Sequence, residues 1–351
     1  MSPVAQRPHR VLMVTGVYPT QERPYKGTYI KSQVESLRAA GLEVEVIHPK
    51  PSHWTPFRYF SATLQVFLKT RRAQFDIVHG HYGLWCLAAR LQRTTPVVAS
   101  FMGDDLLGSP LVDGGWSKKA AFVTHISRWL CRQMDAAIVK SEGMKKRAAG
   151  NRIFVVPNGV DFSFFRPIPR AQARKALGWD EHRSYILFVN NPQEPKKGYP
   201  LAAASIERLR AQGTEAELVI ANRLPQTQVV QYINASNVLL LPSIHEGSPN
   251  IVKETMACNV PVVATDVGDV AQVVGHTKGC RVCPRDPDAL AAALKEALLL
   301  TGPTTGRADI AHLECSVVAK QVISVYEQAA QHAALGSRSR QTKRLRTPAR
   351  S

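Results

Sequence analysis

The chain has 351 residues, of which 44% are apolar and 21% charged, and it carries a formal net charge of +18. This balance is that of a folded soluble protein too long for one core, so two domains are expected. No run approaches the roughly 18 uninterrupted apolar residues of a membrane span, and the stretch through Arg7, Pro8, His9 and Arg10 lacks a secretory signal's apolar core; the expected location is cytoplasmic. Val11 to Thr15 reads as a β-strand, and residues 28 to 40 place Ile30, Val34 and Leu37 on one helical face. Gly41 supplies the stop before a second strand, Val44-Glu45-Val46-Ile47. Further strands are predicted at Phe75 to His79, Pro96 to Phe101, Ala136 to Lys140 and Ile153 to Val156, with helix-compatible stretches between most of them. Such alternation implies a parallel sheet covered on both faces.

At Pro157-Asn158-Gly159-Val160-Asp161 the pattern breaks, and Phe164, Phe165, Arg166, Pro167 and Pro169 suit neither a helix nor a central strand. A second series follows, with strands at Tyr185 to Val189, Leu218 to Ala221, Val238 to Leu241 and Pro261 to Thr265. The fold class is therefore α/β, with two Rossmann-like domains, 1–165 and 166–335. A last helix-compatible stretch from about Ser316 to Ala334 comes after the second sheet is complete and is free to pack back on the first domain.

Residues 336 to 351 hold Arg338, Arg340, Lys343, Arg344, Arg346 and Arg350 without an acid, a basic tail predicted to be disordered. The remaining positive excess points to an anionic surface: lipid headgroups, a phosphorylated lipid acceptor or nucleic acid. The six cysteines (Cys86, Cys131, Cys258, Cys280, Cys283 and Cys315) are scattered. Cys280 and Cys283 lack a second ligand pair at zinc-site spacing, so no metal is expected there.

The densest constellation runs from Pro242 to Asp269. A strand ends at Leu241, a Gly-containing turn follows, and Ser248 with Pro249 reads as the N-cap and first residue of a helix. A helix that starts beyond the carboxyl end of a parallel strand presents backbone N–H groups and its positive dipole end to an anionic ligand. Glu246 in the loop and Glu254 in the helix both come within reach of one ligand, where carboxylates accept hydrogen bonds from ribose or sugar hydroxyls. Alternatively Glu246 caps the turn and Glu254 is a solvated helix residue.

The segment Glu246-Gly-Ser-Pro-Asn-Ile-Val-Lys-Glu254, continuing into Met-Ala-Cys and Pro-Val-Val-Ala-Thr265, resembles the signature of family 4 glycosyltransferases, in wording closest to the teichuronic-acid and surface-polysaccharide branch. The resemblance extends from about residue 10 to residue 330. It implies the GT-B fold and a retaining transfer of a hexose-type sugar from a UDP- or GDP-sugar to a polysaccharide or lipid-linked precursor, at or near an anionic membrane surface. By the same resemblance Glu246 contacts the transferred sugar and Glu254 the ribose, while backbone amides of Gly247, Ser248, Asn250 and Ile251 meet sugar and phosphate oxygens; Pro249 has no N–H to offer. Gly27, between Lys26 and Thr28, lets the backbone approach the diphosphate. In Ser100-Phe-Met-Gly-Asp-Asp105, Met102 stands where relatives commonly have a histidine, leaving Asp104 or Asp105 to supply its role or merely to cap the loop. After Val189 the usual arginine is replaced by Asn190-Asn191; Lys197 takes the family's lysine role and Lys196 stands in for the arginine. The 157–169 stretch matches the interdomain linker.

Lys197, Lys196 and the helix N-terminus would receive the leaving diphosphate electrostatically. No Asp-x-Asp metal motif is evident near the donor-site residues, so neither a metal nor a cofactor beyond the sugar nucleotide is expected. Asn222-Arg223 ends a strand near the expected base site, and His125 and His245 read as structural. The acceptor is expected on the first domain, whose Trp54, Phe57, Arg58, Tyr59, Phe60, Lys118 and Lys119 mix aromatic and basic character. Two other classes are compatible with parts of the pattern: a GT-B protein that binds a sugar nucleotide without transfer, and a nucleic-acid-binding protein, for which no motif is recognisable. A nicotinamide dehydrogenase fails for want of Gly-x-Gly-x-x-Gly after the first strand.

Overall fold

A computed structural model describes residues 9–49, 55–108, 115 and 118–346. The first half runs β1 (Arg10–Thr15), α1 (Thr28–Ala39), β2 (Glu43–Ile47), α2 (Thr55–Arg72), β3 (Ile77–His81), α3 (Gly83–Arg90), β4 (Val97–Ser100), α4 (Asp104–Leu107), α5 (Lys118–Gln133), β5 (Ala136–Val139), α6 (Glu142–Arg147) and β6 (Ile153–Val155). The second runs α7 (Arg170–Leu177), β7 (Tyr185–Val189), α8 (Tyr199–Ala211), β8 (Glu217–Ala221), α9 (Gln226–Ala235), β9 (Val238–Leu241), α10 (Asn250–Ala257), β10 (Val262–Thr265), α11 (Val270–Val274), β11 (Arg281–Cys283), α12 (Pro287–Leu298), α13 (Gly306–Asp309) and α14 (Cys315–Arg346).

Two parallel sheets result, in the orders β2-β1-β3-β4-β5-β6 and β11-β10-β9-β7-β8. Their central strands are apolar on both faces because helices cover both. Val11 to Val14, Val97 to Ala99 and Val238 to Leu241 are all buried. On α1, Ile30, Val34 and Leu37 are the buried face, and Gly41 ends the helix turn in the left-handed region at φ 93°, with Leu42 N–H donating to Leu37 O.

The chain passes between the two sheets twice. After β6 it runs through the 157–169 stretch, and after α13 it returns through Glu314 into α14, which packs on α1, β4 and β5 of the first sheet. Val318, Val322, Ile323 and Tyr326 join Ile30, Val34 and Leu37 in one core there. The two crossings are stitched together: Val160 N–H donates to Leu313 O at 2.9 Å, and Cys315 N–H to Val160 O at 3.0 Å.

Three sequence expectations shift. β3 begins and ends two residues later than predicted, since Asp76 turns to accept from the N–H groups of His9 and Arg10 while His79 and His81 continue the strand into the core. The helix after Leu241 begins at Asn250, with Pro249 at the cap position, because the Ser248 hydroxyl is engaged elsewhere. The basic segment from residue 336 continues α14 to Arg346 and is not the disordered tail expected of it; residues 347–351 lie outside the described ones. An anchored helix propagates readily through Arg, Lys, Gln and Leu, and no proline intervenes before Pro348.

Candidate active site in the interdomain cleft

The carboxyl ends of both sheets face one cleft of about 400 Å³. Tyr25, Lys26 and Thr28 wall it from the first half, and Asn190, Asn191, Glu194, Asn222, Arg223, Gln226, Asn250, Ile251 and Glu254 from the second. Ligand crevices of open α/β sheets lie at this end of the strands. Gly27 shapes the wall without lining it. It sits in the left-handed region at φ 72°, and an added Cβ would come within 2.8 Å of the Val17 carbonyl, so only glycine lets the 16–27 loop fold against itself before α1.

Beside this cleft, four charged side chains from three loops meet in pairs. Lys196 Nζ donates to Asp104 Oδ2 at 2.6 Å, linking the two halves of the molecule. Lys197 Nζ donates to Glu246 Oε1 at 2.8 Å, and Ser243 Oγ donates to the same carboxylate oxygen at 3.0 Å. Burial alone would pull the Lys196 ammonium down, but Asp104, with Glu246 and Glu194, outweighs it and holds it above its ordinary pKa. The lysines are placed by the β7–α8 loop. Gly198 there adopts φ 71° directly against the Pro242 carbonyl, and Ile244 N–H donates to Lys196 O at 2.7 Å, so this loop is pinned to the β9–α10 loop.

The two aspartates have different tasks. Asp104 faces the lysine across the cleft, whereas Asp105 is buried and accepts from the backbone N–H groups of Gly83, Met102 and Gly103. Burial pushes the Asp105 carboxyl up to about 6 even against those three donors. Asp105 therefore braces the loop that carries Met102 and Gly103, and that loop touches the other half backbone to backbone. A Cβ on Gly247 would lie 2.7 Å from Met102 O and 2.8 Å from Gly103 Cα.

The Glu246–Glu254 segment divides. Asn250, Ile251 and Glu254 line the cleft, while Glu246 stands outside its walls with Lys197. Ser248 is turned away: its hydroxyl donates to Asp269 Oδ2 at 2.6 Å and accepts from Lys253 Nζ at 2.7 Å. Burial pushes the Glu254 carboxyl up to about 7, with the neighbouring Lys253 pulling the other way. Sequence reasoning missed Lys253, Asn158 and Lys140. Lys253 is fully buried on α10 and donates to Asn158 O at 3.1 Å; Asn158 Nδ2 donates to Asn250 Oδ1 at 3.2 Å; buried Lys140 donates to Val156 O at 3.3 Å. One lysine from each half thus holds the chain where it leaves the first sheet and enters the linker. The only signal for Lys253 was a lysine that directly follows apolar Val252 and stands one helical turn before apolar Met256.

Arg223, given little weight from sequence, lines the cleft at a positive φ of 56°. His125 is exposed on α5. Cys280 accepts from Val262 N–H, and among the described residues no group of three His, Cys, Asp or Glu is placed to hold a metal. Trp54 lies outside the described residues.

Two facing Rossmann-like sheets around a charged cleft define the GT-B class of glycosyltransferase folds. Solved structures with this architecture include sucrose-phosphate synthase from Thermosynechococcus elongatus, with TM-score 0.71 and 17% identity over 91% of this chain and 98% of that one. Another is Anabaena HepE in complex with UDP and glucose, with TM-score 0.60 and 15% identity over 92% of this chain and 99% of that one. The family description Glycosyltransferase Family 4 matches residues 4–164, and Glycosyl transferases group 1 matches residues 198–299. Among curated relatives, the Bacillus subtilis protein named as a teichuronic acid biosynthesis glycosyltransferase, TuaC, is 25% identical over 81% of this chain and 88% of its own length. The D-inositol 3-phosphate glycosyltransferase of Acidothermus cellulolyticus is 30% identical over 79% of this chain and 70% of its own. The chain belongs to the group 1, family 4 glycosyltransferases.

Proposed function

We propose that this glycosyltransferase moves a hexose-type sugar from a UDP- or GDP-sugar onto a polysaccharide or lipid-linked oligosaccharide precursor, with retention of anomeric configuration and without a metal. The observation that carries this reading is the lysine pair beside the cleft. Lys196 and Lys197 are each held by a carboxylate, Asp104 and Glu246. A diphosphate brings more negative charge than either carboxylate and takes over both ammonium groups. Asp104 and Glu246 are then free to face the sugar, and the lysines stabilise the charge that builds on the departing phosphate. Glu254, with Asn250 and Ile251 on the same wall, accepts from the ribose hydroxyls.

The acceptor approaches from the first domain. Helices α2 and α5, which both pack on α3, expose an apolar face: Phe60 is 66% and Phe122 66% exposed, with Leu64, Phe67 and Trp129 beside them. Lys69, Arg71 and Arg72 close α2. Arg71, whose guanidinium lies 4.0 Å from the Phe67 ring centroid, continues the aromatic face, and that mixture suits the surface of an anionic bilayer, where a lipid-linked acceptor resides. Nucleic acid has no role in this reading.

The test is release of nucleoside diphosphate from a panel of UDP- and GDP-sugars in the presence of membrane extract. Turnover of one donor that Glu254→Ala abolishes is expected. Binding without turnover would favour a non-catalytic sugar-nucleotide protein, and a failure to bind any donor would overturn the reading.

A further inference from the structure

His79 and His81 close β3 and Ser100 closes β4, and all three are fully buried at the carboxyl end of the first sheet. They lie on the face that α1 and α14 cover, since Ile77 and Val98, two residues before His79 and Ser100 along the same strands, belong to the core those helices share. Tyr326 of α14 is fully buried in that core. Its hydroxyl meets His79 Nδ1 at 2.7 Å, and His79 Nε2 meets Ser100 Oγ at 2.8 Å. Burial, with Lys140 adding to it, pushes the His79 imidazole down to about 3, so the ring is neutral and one nitrogen donates while the other accepts. Three apolar side chains would fill this space without any polar group to satisfy. What a buried chain of hydrogen bonds adds is direction, because each member fixes the orientation of the next.

From Ser100 the chain runs directly into Phe101-Met102-Gly103-Asp104, the loop that meets the second half. Neighbouring strands hold its start through the backbone: Tyr82 N–H donates to Ser100 O at 2.8 Å and Phe101 N–H to Ile138 O at 2.9 Å. The Ser100 side chain is held instead from α14, a helix the chain reaches only after the second sheet is complete. Four residues beyond Ser100, Asp104 Oδ2 accepts from Lys196 Nζ at 2.6 Å, and Gly103 lies against Gly247. We infer that Tyr326 is a positioning residue for sugar transfer, which acts through His79 and Ser100 to set the exit of β4 and so the place of Asp104 opposite Lys196. Tyr326 touches no substrate; it stands in the core, outside the cleft walls. The relay makes the loop's placement depend on the docking of α14, and thus on the return crossing from the second half. This role rests on the transferase reading, in which Asp104 faces the donor sugar.

The experiment compares the full chain with its Tyr326→Phe, Ser100→Ala, doubly substituted and Val322→Ala variants. Val322 stands one helical turn before Tyr326 in the same core and has no polar atom in its side chain, so Val322→Ala reports lost packing alone. With the donor that wild type turns over, Tyr326→Phe and Ser100→Ala should each lower kcat about fivefold or more and leave the donor KM within about twofold. The double variant should be about as slow as the slower single one, because both substitutions break one chain. Val322→Ala should lower the unfolding midpoint and keep kcat. In protein labelled with nitrogen-15 at histidine, the His79 ring resonances should shift in Tyr326→Phe. Ser100→Ala keeps the test open should Tyr326→Phe fail to fold. Wild-type kcat in the folded Tyr326→Phe variant, additive losses in the double variant, unmoved His79 resonances, or an equal fall of kcat in Val322→Ala would each overturn the role while the transferase reading stands. A wild type that turns over no donor would instead sink that reading, and the role with it.

Discussion

Lys253 and Glu254 are adjacent in α10 and carry opposite charges to different tasks. Lys253 turns inward, where it holds the Ser248 hydroxyl and the Asn158 carbonyl; Glu254 turns to the cleft wall. With burial holding the Glu254 carboxyl near 7, it is protonated below that pH and charged above it. An ionised carboxylate accepts hydrogen bonds from ribose hydroxyls more strongly than a neutral acid does. Affinity for nucleoside diphosphate should therefore rise as pH increases through about 7, and Glu254→Gln should flatten that rise. Calorimetric titrations across this range would reject the assignment if wild type and variant shared one pH profile. From their spacing and the family resemblance the two acids of the signature were expected as a ligand-facing pair; in the fold Glu254 lines the cleft, while Glu246 stands outside its walls with Lys197. Neither that pairing nor the burial of Lys253 was legible in the sequence. A lysine between Val252 and Glu254 reads as a solvated side chain until another element covers it.

At the scale of elements, the loop joining β7 to α8 delivers both lysines because Gly198 permits a contact no other residue allows. Its φ of 71° is left-handed, and a Cβ there would sit 2.0 Å from the Pro242 carbonyl oxygen. Gly198→Ala should cost about 1 to 3 kcal/mol or more from the backbone conformation alone and should displace Lys196 and Lys197 from Asp104 and Glu246. Denaturant unfolding would register the first effect and weakened donor binding the second; an alanine variant with unchanged stability would refute this account of the loop. The strands were readable almost to the residue, as at Tyr185–Val189 and Val238–Leu241, because buried parallel strands are short apolar runs bounded by turn residues. The start of α10 was not. Ser248 is a good cap by type, but the buried Asp269 carboxylate competes for its hydroxyl, and only the fold brings those two together.

For the whole molecule, α14 leaves the second sheet and completes the core of the first, so the two crossings at Val160 and Cys315 form a doubled connection between the halves. Helices α2 and α5 belong to the other core of the first half, separate from the one that α14 joins, and each leaves aromatic side chains exposed. If they meet a bilayer, replacing Phe60 and Phe67 by serine should reduce binding to anionic vesicles about tenfold or more, since each loses roughly 1.5 to 3 kcal/mol of apolar burial. Phe60 is 66% and Phe67 40% exposed in the free protein, so the double variant should stay folded with only a modest fall in its unfolding midpoint. Unaltered vesicle binding by the folded double variant would remove this surface from the reading. The sequence by itself determined the two alternating β/α halves, the break after residue 156 and the signature from Glu246 to Thr265, because periodicity, turn chemistry and motif spacing are local properties of the chain. Tertiary structure alone decided that Lys196 meets Asp104 across the cleft, that Gly103 and Gly247 touch, and that Tyr326 reaches His79. Those relations join residues far apart in sequence, and they arise only when packing brings separate segments of the chain together.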